Sequence, residues 1–145
     1  MLYHDFKVRC CMKIRMLFMM IVGILFVTAC GQESLNERHE VYLSEKGWEI
    51  KDSIEVETYI LDIPDELLNN YEASGITFLS EYLGEEVIRH TYVLKEKDDN
   101  GERLQAVIFE VDKEIIGGYG VLRTWVPGVF NLDDKERLIK EQMIK

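Results

Sequence analysis

A run of 14 almost entirely apolar residues, from Met16 to Ala29, divides the chain into two parts with different roles. The run is shorter than the roughly 20 residues that a helix needs to cross a bilayer, and it fits the apolar core of about 7–15 residues in secretory signal peptides. Lys13 and Arg15 supply the positive charges that precede such a core. The sequence therefore predicts that residues 1–29 are an export signal and that the working fold begins after them.

The apolar run ends in small residues followed by a cysteine, in the order Val27-Thr28-Ala29-Cys30-Gly31. This ending resembles the lipobox of bacterial lipoproteins. The resemblance implies that the Cys30 thiol receives a diacylglyceryl group and that the chain is cut before Cys30. The protein would then be anchored to the cell membrane by lipid, on the extracytoplasmic face, and two acyl chains anchor firmly because each buried CH₂ contributes about 0.8 kcal/mol. The alternative is an ordinary transmembrane anchor with a chance cysteine at its outer end.

The predicted cut before Cys30 defines the other segments of the chain. Residues 1–11 fit a signal poorly, because an acid and two cysteines precede the basic residues, so Met12 is an alternative start. Residues 30–36 form a short lipidated tether, and residues 37–145 form a single domain. A domain of about 100–150 residues can bury a working core without disulfides or metal ions.

Charge and cysteine content limit the partners of this domain. The whole chain has a formal net charge of −10, and the part after residue 29 has 26 acids and 13 bases, a net charge of −13. Nucleic-acid phosphates repel such a surface, so the sequence predicts no nucleic-acid partner. The expected partners are the membrane, through lipidated Cys30, and another envelope protein. All three cysteines, Cys10, Cys11 and Cys30, precede the domain, which leaves it no disulfide or thiolate metal site.

Alternating apolar residues and turn signals predict an α+β domain. Strand patterns cover residues 54–61, 86–95, 104–111 and 115–126, and helix patterns cover residues 35–46, a short segment after Pro64, and residues 132–145. Asn100-Gly101 readily takes the positive φ angles of a hairpin turn. Gly47 is a predicted helix C-cap and Asn131 a predicted N-cap. We expect an antiparallel sheet of about four strands with short helices packed on one face.

Short phrases occur in a fixed order across residues 42–122. They are Tyr42-Leu43 with Lys46-Gly47-Trp48-Glu49-Ile50, Ile63-Pro64, Tyr82-Leu83-Gly84, His90-Thr91-Tyr92-Val93 and Ile115-Ile116-Gly117-Gly118. Their order and spacing resemble a domain-of-unknown-function family found in envelope lipoproteins of low-GC Gram-positive bacteria. The resemblance implies an exported domain without an assigned activity, so it supplies no catalytic residue. The family pattern has an acidic residue after the glycine pair, where this chain has Tyr119.

Two motifs in the strand region have chemical alternatives. The run from Glu96 to Gly101 resembles the start of a calcium-binding loop, but its twelfth position is Val107, where such a loop requires glutamate. A hairpin turn is therefore the favoured interpretation. The segment Gly117-Gly118-Tyr119-Gly120 lacks the following helix of a nucleotide-binding loop, which favours a bulge or sharp bend in the sheet. Close approach of a ligand or partner peptide is the alternative.

Candidate catalytic and metal-binding residues are few. The histidines after the signal are His39, expected on a charged helix face, and His90, expected in a strand. Each is interpreted as a surface residue or a satisfied, partly buried one. Two isolated histidines fall short of the about four ligands of a structural zinc site. We therefore expect no catalytic, cofactor-binding or metal-ligating residue, and Cys30 is the one predicted site.

These observations favour a non-catalytic binding or regulatory module of the cell envelope. The alternative is a small envelope hydrolase, because paired carboxylates about 5–10 Å apart can hydrolyse glycosides. Its candidate residues are five acids in an acidic cluster: Glu55, Glu57, Asp62, Asp65 and Glu66. A third interpretation is a structural or substrate-capturing module, whose sign would be a closed apolar cavity. Four further residues would either form a contact patch or close one end of the core: Trp125, Val126, Val129 and Phe130.

Overall fold

The computed structural model describes residues 37–126 and 128–145. The predicted signal, Cys30 and the tether therefore lie outside the described residues. The described residues belong to one compact unit. Within the two described ranges, no helix has the length and apolar character needed to cross a membrane.

The described residues form one antiparallel sheet whose five strands follow chain order: β1 (Ile50–Ile60), β2 (Glu86–Lys97), β3 (Arg103–Val111), β4 (Glu114–Val121) and β5 (Val129–Asn131). This confirms the α+β class with an antiparallel sheet, but the strand number is five rather than about four. The expected strand over residues 115–126 is present as β4 but ends at Val121, because the chain reverses there. A hydrogen bond from the Leu122 amide to the Gly128 carbonyl (2.7 Å) closes this turn. Arg123 and Thr124 lie in this turn, but the apolar pattern resumes at Trp125 and Val126, so the sequence suggested a longer strand.

In the described part of the chain, three α-helices and two 3₁₀ helices flank the sheet: α1 (Glu37–Glu45), α2 (Asp65–Ala73), α3 (Lys135–Lys140), and 3₁₀ helices at Phe78–Tyr82 and Leu132–Asp134. The predicted caps are confirmed. Gly47 has a φ of 83° after α1, and the Asn131 side chain accepts a hydrogen bond from the Asp133 amide. The last helix is shorter than the predicted 132–145, because the chain leaves it to pair Ile144 with Asp98.

The turn between β2 and β3 is the hairpin predicted from Asn100-Gly101. Gly101 has a φ of 86° there. The buried Asp98 carboxylate accepts hydrogen bonds from the Glu102 amide (2.8 Å) and from the Thr124 hydroxyl (2.7 Å). Asp98 therefore holds this hairpin together and ties it to the turn between β4 and β5, which favours the hairpin over the calcium-loop alternative.

Helices cover both faces of the sheet, which corrects the expectation of packing on one face. The first core contains Leu43 of α1, Leu138 of α3 and Ile108 of β3. The second core contains Leu79 of the longer 3₁₀ helix and Phe109 of β3, with α2 packed against it. Successive side chains of a strand point to opposite faces, so β3 contributes to both cores. A strand that is covered on both faces becomes apolar almost throughout, and residues 104–111 follow this pattern.

Candidate functional site

A group of polar side chains meets between α1 and the sheet, and we call it the histidine cluster. It consists of Arg38 and His39 of α1, His90 and Tyr92 of β2, and Glu110 of β3. His90 and Tyr92 are two residues apart in a strand, so both project from the same face. The pairing of β2 with β3 places Glu110 diagonally from His90 on that face. The sheet register therefore positions three of the members, and α1 delivers the other two.

The Glu110 carboxylate is the centre of the histidine cluster. Its Oε1 accepts a hydrogen bond from Arg38 Nη2 at 2.7 Å and lies 3.0 Å from His39 Nε2. Its Oε2 lies 3.2 Å from His90 Nε2. His39 Nδ1 lies 2.6 Å from the Tyr92 hydroxyl oxygen, and the two imidazole rings meet edge to face with centroids 4.5 Å apart. Within residues 37–126 and 128–145, this carboxylate joins three cationic or imidazole side chains from two other elements.

The fold encloses most of the histidine cluster. His39 is fully buried and Glu110 nearly so, whereas the Arg38 side chain is half exposed. Burial, together with repulsion from His90, lowers the pKa of His39 below its ordinary value, although attraction to Glu110 opposes this shift. The neutral imidazole is therefore favoured for His39 at neutral pH. A neutral ring has one N–H and one lone pair, so its two nitrogens have different roles.

The structure brings together histidines that the sequence left apart. Of the two expectations, surface residue or satisfied partly buried residue, the second is the nearer for both: His39 is fully buried and hydrogen-bonded, and His90 is partly buried and also contacts Glu110. Sequence reasoning missed Glu110, which is the only acid in the apolar segment 104–111. A charged residue in such a segment is seldom buried without a partner. This single acid was the signal that could have pointed to the cluster.

A second feature is the outer side of β1, which we call the β1 edge. Among the described residues, only β2 pairs with β1. Ile54, Val56 and Ile60 alternate along β1 and are 49%, 47% and 56% exposed. A long strand edge with exposed β-branched side chains is a template for pairing with another chain. The β1 edge is therefore a candidate interaction surface.

The acidic cluster proposed for hydrolysis surrounds the same strand. Glu55 and Glu57 lie on the face of β1 opposite to Val56, and both form ion pairs with Arg89 of β2. The other three carboxylates are exposed: Asp62, Asp65 and Glu66. Two of these occupy the first turn of α2, where acids interact favourably with the helix dipole. This arrangement is that of a solvated acidic face.

A third feature is a groove of about 470 Å³ beside the turn between β4 and β5. Trp125 and Val126 line it, and Val126 is 97% exposed. Phe130, by contrast, is buried in the first core. Asp134 and Arg137 also line the groove and form an ion pair at 2.7 Å. The sequence offered two roles for the apolar residues around this turn, a contact patch or closure of the core, and both occur. Phe130 closes the core, whereas Trp125 and Val126 form an exposed patch.

The glycine-rich segment of β4 contains the predicted bulge, with Ile116 as the extra residue. A Cβ atom at Gly117 would lie 2.5 Å from the ring of Phe78, and one at Gly120 would lie 1.9 Å from the ring of Phe130. These glycines make room for aromatic side chains of the protein's own cores. The groups that approach the β4 backbone closely are therefore side chains of the same chain, which favours the bulge interpretation.

Cys30, the one site residue predicted from the sequence, lies outside the described residues, so its lipidation stays a prediction. The resemblance of residues 42–122 to an envelope-lipoprotein domain stays a prediction as well. Comparison with family models, curated proteins and solved structures found no match to this chain.

Proposed function

We propose that this chain is a lipid-anchored protein of the extracytoplasmic membrane face whose domain is a non-catalytic binding or regulatory module of the cell envelope. The observation that carries the binding role is the β1 edge, which belongs to an 11-residue strand. A partner adds an extended segment beside β1 and so continues the sheet, in the manner of β-strand addition. The anchor rests on the signal-like residues 1–29 and on Cys30.

The regular part of β1 sets the length of the added strand. Its register with β2 is unbroken from Glu55 to Ile60, and irregularities precede this stretch. An incoming strand therefore has about six residues with which to form a continuous ladder of main-chain hydrogen bonds. Burial of Val56 and Ile60 under partner side chains adds about 25 cal/mol for each Å² of apolar surface removed from water.

The two faces of β1 define the chemistry of the partner strand. One face presents Val56 and Ile60, and the other presents Glu55 and Glu57 beside Arg89. The complementary strand alternates apolar residues with basic ones. The net charge of −13 after residue 29 favours such a basic partner.

Self-pairing of two β1 strands is less favourable than pairing with a different protein. Antiparallel pairing of two copies places Glu55 and Glu57 near the same acids of the second copy. Like charges directly opposite each other destabilise a strand pair. We therefore favour a heterologous partner that carries lysine or arginine on that face.

The tether limits where this partner lies. Residues 30–36 span at most about 25 Å when fully extended, because a residue covers about 3.3–3.6 Å. A domain held this close to the bilayer meets partners of the same membrane at a high effective concentration. We propose a membrane-associated envelope protein as the partner.

Replacing Val56 with glutamate is expected to weaken strand addition at least tenfold, because a charge then enters the face that the partner buries. The probe is an eight-residue peptide that alternates valine and lysine, and the same peptide with glutamate for lysine is its charge control. Binding is measured by fluorescence anisotropy. Hydrogen exchange then locates the bound peptide through slower exchange of the β1 amides.

Val41→Glu is the matched control, because Val41 is the same residue type with 51% exposure on α1. This variant should bind the valine–lysine peptide as the unmodified chain does. Equal weakening by both substitutions would show that added negative charge, rather than the β1 edge, determines binding. Protection confined to elements other than β1 would contradict the proposal directly.

Replacing Cys30 with serine is expected to abolish lipid labelling and to release the protein from the membrane, because the hydroxyl does not replace the thiol as the acylated group. Growth with a radiolabelled fatty acid, followed by membrane fractionation, measures both effects. The paired control replaces Cys10 and Cys11 with serine and should keep the label. Persistence of the label in Cys30→Ser would refute the anchor without affecting the binding proposal.

A further inference from the structure

We propose that the histidine cluster is a binding site for a borderline divalent cation, with Zn²⁺ the best match. The three residues are His39, His90 and Glu110. The Nε2 atoms of both histidines face the Glu110 carboxylate, so these two nitrogens and one carboxylate oxygen are the ligands. This site is independent of the β1 edge and of the lipid anchor. It revises the expectation, drawn from the sequence, that the domain has no metal-ligating residue.

The distances already approach those of a metal site. One ligand atom from each of the three residues can be chosen so that all lie within 4.8 Å of one another. The Glu110 oxygens are 3.0 Å from His39 Nε2 and 3.2 Å from His90 Nε2. Tetrahedral zinc with bonds of about 2.0–2.2 Å separates its ligand atoms by about 3.4 Å. Small side-chain rotations therefore suffice to place an ion between the three groups.

Tyr92 provides the support that a metal-bound imidazole needs. Its hydroxyl oxygen lies 2.6 Å from His39 Nδ1, the nitrogen that faces away from Glu110. When Nε2 of His39 binds the ion, Nδ1 carries the proton and donates it to this oxygen. Such a hydrogen bond on the opposite nitrogen fixes both the tautomer and the ring orientation of a metal ligand.

The donor set selects the class of cation. Two imidazole nitrogens and one carboxylate suit zinc and similar transition metals, whereas Mg²⁺ and Ca²⁺ prefer oxygen ligands throughout. Three protein ligands leave a fourth tetrahedral position for water or for a donor from a partner. The site is nearly enclosed, because His39 is fully buried and the Glu110 side chain is 7% exposed.

Arg38 is the competitor for this site. Its Nη2 donates to Glu110 Oε1 at 2.7 Å, and its other terminal nitrogen donates to the Lys113 carbonyl. A divalent cation must displace the guanidinium from the carboxylate, because both groups bind the same carboxylate oxygen and the two positive charges repel each other. The Arg38 side chain is half exposed and can turn into water. Removal of its charge should therefore strengthen metal binding.

The test uses the full chain in detergent with its cysteines alkylated, so that thiols bind no metal. Zn²⁺ binding is measured by equilibrium dialysis with elemental analysis. The unmodified chain should bind one Zn²⁺ more than His39→Gln and His90→Gln. Equal zinc content in the unmodified chain and in the folded His90→Gln variant would overturn the proposal. Circular dichroism verifies the fold of each variant.

Two further variants separate a metal site from a purely structural network. Arg38→Gln should bind Zn²⁺ several-fold more tightly, and Tyr92→Phe should bind it about tenfold more weakly, the size expected for losing such a supporting hydrogen bond. If the cluster were only a structural network, the chain would bind no zinc there, and neither substitution would change its zinc affinity. Co²⁺ added to the unmodified chain should give the visible absorption of a four-coordinate nitrogen–oxygen site, and its absence would overturn the proposal even if every variant failed to fold.

Discussion

Replacement of Gly120 with alanine should lower the free energy of unfolding by about 3 kcal/mol, the upper end of the usual cost of overpacking a core. An added Cβ would lie between 1.9 and 2.5 Å from three ring atoms of Phe130. That ring cannot withdraw easily, since Phe130 is buried and packs against Trp48 with ring centroids 5.4 Å apart. Urea denaturation of residues 31–145, which include all residues of both cores, measures the loss.

Gly84→Ala is the control for the general cost of adding a methyl group to a glycine. Gly84 has a φ of 84°, and an added Cβ there meets nothing within 4 Å. Its cost should be near 1 kcal/mol, since only the left-handed backbone is strained. In a Phe130→Leu background, Gly120→Ala should cost less than in the unmodified chain. An unchanged cost in that background would show that the ring is not the obstacle.

Local signals predicted the turns and caps of this fold. The hairpin at Asn100-Gly101, the cap at Gly47 and the cap at Asn131 each depend on a residue whose own conformation or side chain determines the outcome. Such features can be predicted without information about the rest of the chain. They therefore hold in the structure at the residues expected.

Features that depend on distant packing were predicted less well. The reversal begins directly after Val121, but the apolar residues Trp125 and Val126 within the turn suggested that the strand continued to residue 126. The two-sided cover of the sheet was also missed, although the nearly uniform apolar character of β3 is typical of a strand buried on both faces. Periodicity reports which residues are buried, but it does not report how many layers bury them.

The histidine cluster illustrates the same limit for a site. His39 and Glu110 are 71 residues apart, and His90 and Glu110 are 20 apart. Their contact requires both the register of β2 with β3 and the docking of α1 across that face. Neither is encoded by a local motif. Only Glu110, an isolated acid in an apolar strand, indicated from the sequence that a buried charge needed a partner.

Replacement of Glu110 with alanine should cost about 3–5 kcal/mol of stability, as is usual when one partner of a buried charged network is removed. The carboxylate accepts hydrogen bonds from Arg38 and faces the Nε2 atoms of both histidines. Arg38 can turn towards water, but His39 is fully buried and its Nε2 would lose this oxygen. Urea denaturation at pH 7.5 with a chelator measures the loss without any contribution from bound metal.

Glu49→Ala is the matched control, because Glu49 forms an ion pair with Lys95 at 2.6 Å but is largely exposed. Exposed pairs contribute little, so its unfolding midpoint should stay close to that of the unmodified chain. Glu110→Gln should fall between the two, since the amide keeps one oxygen acceptor yet loses its charge beside Arg38. If Glu49→Ala and Glu110→Ala were equally destabilising, enclosure of the carboxylate would not be the cause. If Glu110→Gln matched the unmodified chain, shape and hydrogen bonding would suffice, and the charge of Glu110 would then be retained for something other than stability.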